Sequence, residues 1–264
     1  MFNVNDFLQR KIDKNKISVL TCYDFAFASI LEKTDVDVIL VGDSLGNVVA
    51  GYENTLPVTV DQIIYHAGAV RRGAPSKYIV VDMPFMSYHI SIEDTLRNAG
   101  RMMKETGSNA IKLEGGIYFA DAVKALVKSS IPVMGHLGFT PQSVQSFGGY
   151  KVQGRETNRR KEIIDDALIL EESGAIAVVL EMVPEDLAAE ITSKLSIPTI
   201  GIGAGKLCDG QVLVINDMLG MNAEFTPKFV KKYLNLNSEI SRAVNEFHRE
   251  VNEGVFPSEG NVFK

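Results

Sequence analysis

Short runs of β-branched and other apolar residues alternate along the chain with longer stretches whose apolar positions recur at helical spacing. Eight of the runs read as strands: Ile17 to Asp24, Val36 to Ser44, Lys77 to Phe85, Asn109 to Gly116, Ile131 to Gly138, Ala175 to Val183, Ile197 to Gly205 and Gly210 to Gly220. Their near-continuous apolarity is the pattern of strands buried on both faces. The intervening segments carry helix signals. Thr59 is placed to cap the helix of VDQIIYHAGAVRRG ahead of a Gly-Ala-Pro stop, and Ser91 stands three residues before Asp94 in the manner of a capping box. Alternating strands and helices imply a parallel sheet. The strand count, the length of 264 residues and the polar residues at nearly every strand's carboxyl end favour a closed (β/α)₈ TIM barrel with extra terminal helices. An open doubly wound sheet would gather its polar residues at one switch point instead. No shift in composition marks a boundary, so residues 1–264 are expected to form a single barrel domain.

The polar strand ends are where chemistry is expected. Asp43 and Ser44 end the second run, Asp82 the third, Lys112 and Glu114 the fourth, His136 the fifth, Glu181 the sixth, and Asn216 and Asp217 the eighth. Asp43, Asp82 and Glu114 are hard oxygen donors with no cysteine pair near them, a set suited to Mg²⁺ rather than structural zinc. Such an ion polarises a carbonyl and stabilises the enolate left when an adjacent proton departs. Lys112 shares a strand face with Glu114 and can offset negative charge on a bound carboxylate or enolate. Glu181, in an otherwise apolar run, is the candidate base, because a buried carboxylate is costly without a use.

Simpler readings stand beside these. A strand-end aspartate often caps a helix, Lys112 can pair with Glu114, and His136 can be a hydrogen-bonded core histidine. The glycines of GIGAG lie where barrels often hold phosphate but suit tight packing as well. The long polar stretch from Thr140 to Arg160 is either a lid offering Lys151, Arg155 and Arg159 to an anion or a solvated loop. Cys22 reads as a small core residue, and His66, His89 and His248 as structural or exposed.

Composition removes other classes. A formal net charge of −6 speaks against a nucleic-acid surface. The two cysteines, Cys22 and Cys208, stand far apart in no metal-binding spacing, as in a reducing cytosol. No apolar leader or membrane-length run is visible, so a cytoplasmic protein without membrane or nucleic-acid partners is expected.

Long collinear strings carry a resemblance. TCYD, VGDSLGNVVAGYENTLPVTV, YHAGAVRRGAP, DMPFMSY, IKLEGG, GHLGFTPQSV, GGYKVQGR, LEMVP, IPTIGIGAG and CDGQVLVINDMLG, with the tail EGVFPSEGNVF, resemble the ketopantoate (3-methyl-2-oxobutanoate) hydroxymethyltransferase family of pantothenate biosynthesis. The resemblance implies a barrel of the phosphoenolpyruvate/pyruvate-binding type, one Mg²⁺ per subunit and a homo-oligomer, commonly decameric. It implies that a hydroxymethyl group passes from 5,10-methylenetetrahydrofolate to 3-methyl-2-oxobutanoate through a Mg-stabilised enolate. By the same resemblance Asp43, Asp82 and Glu114 bind metal. Asp43, Ser44, Asp82 and Lys112 contact substrate, Glu181 is the base, and His136 is a possible further site residue. Departures are local: TCYD for TAYD, GSNAIK for GAxAVK, and no match over Met221 to Thr226. Two alternatives remain at this stage. One is a Mg²⁺-dependent C–C lyase or mutase of the isocitrate lyase type, although no KKCGH-like string occurs; the other is a non-catalytic metabolite-binding barrel.

Overall fold

The structure is a computed structural model that describes residues 2–222 and 227–263, so part of the stretch from Met221 to Thr226, where the resemblance lapses, lies outside the described residues. All eight expected strands form. They are β1 (Ile17–Thr21), β2 (Val38–Val41), β3 (Tyr78–Asp82), β4 (Ala110–Glu114), β5 (Val133–Gly138), β6 (Ala177–Glu181), β7 (Thr199–Ile202) and β8 (Gly210–Leu213). They pair in parallel in sequence order and close through β8 on β1.

The helices follow the alternation. α1 (Val4–Ile12) precedes the barrel, and α2 (Phe25–Leu31) follows β1. The short α3 (Leu45–Val48) and then α4 (Val60–Gly73) follow β2. α5 (Ile92–Thr106), α6 (Ala120–Lys128), α7 (Val144–Phe147), α8 (Thr157–Glu172) and α9 (Glu185–Lys194) come after β3, β4, β5 and β6 in turn, with α7 and α8 sharing one connection. β7 runs into β8 through Gly203 to Asp209 with no helix between them. The expected caps are present. The Thr59 and Gln62 side chains reciprocate at α4, whereas Ser91 caps α5 alone and the Asp94 carboxylate turns to Arg97.

The chain divides into two compact units, Met1–Val214 and Ile215–Lys264. The barrel is complete within the first. The run expected as an eighth strand reaching Asp217 stops at Leu213, and Ile215–Met218 coil into α10, so Asn216 and Asp217 sit on a helical turn rather than at a strand end. The second unit also holds α11 (Leu236–Asn252), whose residues are all unburied. No helix among the described residues is long and apolar enough to cross a membrane.

Inside the barrel the period of two decides what lies where. Ile17, Val19, Val38, Leu40, Tyr78, Val80, Ala110, Met134, Ala177, Val179, Ile200 and Val212 form the buried apolar layers. Phe7 of α1 seals the amino-terminal end, its ring 5.4 Å from Tyr78 and 5.0 Å from Phe2. Two residues further along the same inward rows stand Asp82, Lys112, His136 and Glu181, with Glu114 one step beyond Lys112. One end of the barrel is therefore an apolar plug and the other a polar mouth.

Candidate active site

Strand register sets the side chains against one another. Asp82 is level with Lys112, Glu114 with His136, and Glu181 with Gly138. The result is a line of contacts across four strands. Lys112 Nζ lies 2.8 Å from Asp82 Oδ1 and 3.3 Å from His136 Nδ1, and His136 Nε2 lies 3.2 Å from Glu181 Oε2. An ammonium can only donate, so His136 Nδ1 accepts from Lys112 and the imidazole proton sits on Nε2, facing Glu181. Burial first, and then the Lys112 charge, lower the His136 pKa, which keeps the ring neutral.

Asp43 joins from the β2 end. Its backbone N–H donates to Asp82 Oδ2 at 3.1 Å, and Gly42 on the inward row makes the room: a Cβ there would sit 3.1 Å from that oxygen. Ser44 Oγ is 2.8 Å from the Tyr23 hydroxyl. Thus Asp43, Ser44, Asp82, Lys112, Glu114, His136 and Glu181, all named from the sequence, gather at one mouth.

Two residues of this site were not named from the sequence. Gln142, fully enclosed in the turn after β5, donates through Nε2 to Asp43 Oδ2 and to the Met83 carbonyl, both at 2.9 Å. Its backbone N–H donates to Glu114 Oε2 at 3.0 Å, and its Oε1 accepts from the Tyr88 hydroxyl at 2.8 Å. Both residues lie on loops, where no periodicity tells which way a side chain points. The available signal was their presence in the strings DMPFMSY and GHLGFTPQSV.

Other expectations resolve more simply. The Cys22 thiol is pushed up to about 11 by burial, as suits a core residue. His66 Nδ1 bonds the Tyr23 carbonyl. In GIGAG, a Cβ on Gly201 would come 3.0 Å from Cys208 Sγ, so close packing accounts for that glycine. Arg159 is taken by Glu162 at 2.9 Å, leaving Lys151 and Arg155 exposed and without an ion-pair partner among the described residues.

The electrostatics are those of an anionic cluster around one cation. Asp43, Asp82, Lys112 and Glu114 are each no more than 5% exposed. With every group ionised, three carboxylates and one ammonium leave a buried surplus of negative charge that a divalent cation would balance. Asp43 is pushed well up, by burial and then by Asp82 and Glu114. For Lys112 burial acts downward, but Asp82, Glu114 and Asp43 outweigh it and the net shift is upward. Glu114 is pushed up to about 8, chiefly by burial, with Asp82 adding to the shift and Lys112 opposing it. The buried Glu114 Oε1 lacks an aligned hydrogen-bond donor, and Asp82 Oδ1 meets only the Lys112 ammonium. This oxygen-rich, under-satisfied set fits Mg²⁺. Among the described residues, however, no three His, Cys, Asp or Glu side chains already converge as a metal nest. The expected trio of Asp43, Asp82 and Glu114 is therefore adjacent rather than preassembled. That suits an ion that binds through few carboxylates and keeps positions for water and substrate.

A pH dependence follows from Glu114. Its pKa is raised from 4.5 to about 8, so the added stability is fully present below 4.5 and is lost as pH rises through 8. Asp43 and Glu181, also raised, act in the same sense. His136, lowered from 6.5, acts oppositely but only as pH falls through that value. In chelator-treated protein Tm is expected to fall between about pH 6.5 and pH 8, and Glu114→Gln should flatten the slope. A Tm that held or rose over this window would show that Glu114 is not held protonated.

The comparisons with known proteins complete the picture. The family profile described as ketopantoate hydroxymethyltransferase matches residues 1–259. The chain belongs to the ketopantoate hydroxymethyltransferase family. Among its relatives, the 3-methyl-2-oxobutanoate hydroxymethyltransferase of Pseudothermotoga lettingae is 55% identical over 262 residues, covering 99% of this chain and 98% of that one. The enzyme of the same name from Clostridium beijerinckii is 54% identical, covering 98% and 94%. As a member of this family the protein is a hydroxymethyltransferase, which sets aside the isocitrate-lyase-type and non-catalytic readings. Solved structures share the fold at low identity. A 2,3-dimethylmalate lyase of the PEP mutase/isocitrate lyase superfamily has a TM-score of 0.62 at 13% identity, covering 100% of this chain and 92% of that one. A phosphonopyruvate hydrolase solved with oxalate and Mg²⁺ has a TM-score of 0.63 at 11% identity, covering 99% and 93%. The chain thus shares the barrel fold of those structures and the sequence of the hydroxymethyltransferases.

Proposed function

We propose that the protein transfers the one-carbon unit of 5,10-methylenetetrahydrofolate to C3 of 3-methyl-2-oxobutanoate, giving 2-dehydropantoate. The observation that carries this reading is the line from Asp82 through Lys112 and His136 to Glu181. It holds an ammonium for an anionic substrate and, at its other end, a carboxylate for proton removal.

Asp43, Asp82 and Glu114 would hold a Mg²⁺. When bound, the ion supplies Lewis acidity toward the oxygens of a 2-oxo acid. Ser44 and Lys112 bind and orient that acid, Lys112 through charge and Ser44 through a hydroxyl fixed by Tyr23. Glu181 takes the proton from C3. The electron pair of that C–H bond becomes the enolate, which forms the new C–C bond to the methylene carbon. One of the two bonds from that carbon to the folate nitrogens breaks as the C–C bond forms and the other as water supplies the hydroxyl. The two nitrogens take up the proton removed from C3 and the spare proton of the water, and tetrahydrofolate leaves. The side chain of Glu181 is 15% exposed, against 4% for those of Asp82 and Glu114, so it is the carboxylate that faces arriving substrate. Burial raises its pKa, which makes it a stronger base than an exposed glutamate.

Proton NMR in D₂O tests the reading directly. With protein and Mg²⁺ the C3 proton signal of 3-methyl-2-oxobutanoate should disappear without folate, and a hydroxymethyl product should form once methylenetetrahydrofolate is added. Neither exchange nor product would reject the proposal. In the same assay Asp82→Ala is expected to weaken Mg²⁺-dependent substrate binding at least about tenfold, the scale of one lost charged contact. An unchanged affinity would count against Asp82 as a ligand.

A further inference from the structure

Folate has to deliver its one-carbon unit next to Glu181, and the carboxylates at the mouth repel its anionic glutamate tail. One loop answers both requirements. The connection from Phe139 to Glu156, between β5 and α8, is tied to two consecutive carbonyls at Glu181: Phe139 N–H donates to the Glu181 carbonyl at 2.8 Å and Gln153 N–H to the Met182 carbonyl at 2.9 Å. Between those ties the chain rises through Gly148 and Gly149, with φ of 62° and 103°, to Tyr150. The Tyr150 ring is 61% exposed, yet it lies 5.0 Å from the fully buried ring of Phe139 at an interplanar angle of 33°. One face of an aromatic ring is thus supported from below while the rest is open to solvent. Burial, then the charges of Glu181 and Asp43, raise its hydroxyl pKa.

Lys151 follows this ring in the chain and Arg155 stands further along the same loop, both exposed and without ion-pair partners among the described residues. The neighbouring mouth loop after β3 exposes Phe85, Met86 and Ile90 but carries no lysine or arginine. An apolar platform and unspent cations occur together on the β5–α8 loop.

We infer that this loop is the folate-docking element, with Tyr150 stacking on the aromatic part of the reduced folate and Lys151 and Arg155 receiving its glutamate carboxylates. The inference rests on the proposed transfer reaction and adds the site of its second substrate. Stacking on an exposed ring is sequence- and substituent-tolerant, and rim cations act through attraction and salt dependence more than through fixed geometry.

The test measures KM for mono- and triglutamyl methylenetetrahydrofolate at saturating 3-methyl-2-oxobutanoate and Mg²⁺, beside the folate-independent C3 exchange rate. Tyr150→Ala is expected to raise the folate KM about tenfold, the scale of one lost stacking contact, while exchange falls much less. Tyr150→Phe, which keeps the ring, should restore most of the affinity. The double variant Lys151→Ala, Arg155→Ala should lose most of any preference for the triglutamyl form and most of its salt dependence. An unchanged folate KM in Tyr150→Ala, or exchange and transfer falling in parallel, would overturn the assignment while leaving the proposed reaction standing. If the unmodified protein exchanges the C3 proton but transfers nothing, the proposed reaction fails and the docking site with it.

Discussion

Glu181→Gln is expected to slow solvent exchange of the C3 proton of 3-methyl-2-oxobutanoate by about 10²–10⁴-fold, the range of a positioned general base, with substrate affinity little changed. The substitution is close to isosteric, and its amide oxygen can still accept from His136 Nε2, 3.2 Å away in the unsubstituted protein. What disappears is the ability to take a proton. Geometry and environment single Glu181 out among the site carboxylates. Asp82 is engaged by Lys112, Asp43 by Gln142, and Glu114 by the Gln142 backbone, whereas Glu181 meets one neutral imidazole. His136 thereby orients the base without neutralising it. Exchange measured by NMR, beside substrate affinity by calorimetry, separates the two effects. Undiminished exchange would take Glu181 out of the role, and equal loss of affinity and exchange would make it a binding residue instead.

How much of this was legible in the sequence depends on which physical rule was in play. The barrel was, because β-branched runs buried on both faces and separated by capped helices leave few architectures open. The inward row was legible too: once Lys112 and Glu114 sit two residues apart on one strand, the period of two places them on the same face. Strand ends were less so, as Asn216 and Asp217 show, since a short apolar run does not say where strand becomes helical turn. Gln142 and Tyr88 were legible only as members of the resembling strings, not from periodicity or spacing. Their roles arise from loops that bring residues 28, 54 and 99 positions apart into hydrogen-bonding contact. The partnering of Arg159 with Glu162 was invisible, yet it decides which cations on that loop are left for a ligand.

Lys112→Met should produce the largest loss of stability of any single change at the mouth, about 3–5 kcal/mol, the cost of leaving a buried charge pair without its partner. The lysine side chain is only 6% exposed and lies 2.8 Å from Asp82, so water cannot replace the ammonium as it would at the surface. Methionine fills similar volume, which keeps the packing defect small and leaves the unbalanced charge as the main effect. The carboxylates have one escape, which is to take up protons. Removing Lys112 removes a charge that opposes the upward shift of Asp43 and Glu114, so their pKa values rise further. A carboxyl group whose folded pKa is raised contributes stability at low pH that is lost as pH rises through that pKa. The deficit of the variant should therefore grow from about pH 5 to pH 8, which denaturant unfolding at several pH values in the presence of chelator would reveal. A deficit that was constant across this range would assign the loss to packing. A variant as stable as the parent at pH 8 would mean that Lys112 is not the cation holding the three carboxylates together, and its place in the substrate site would then have to rest on binding data alone.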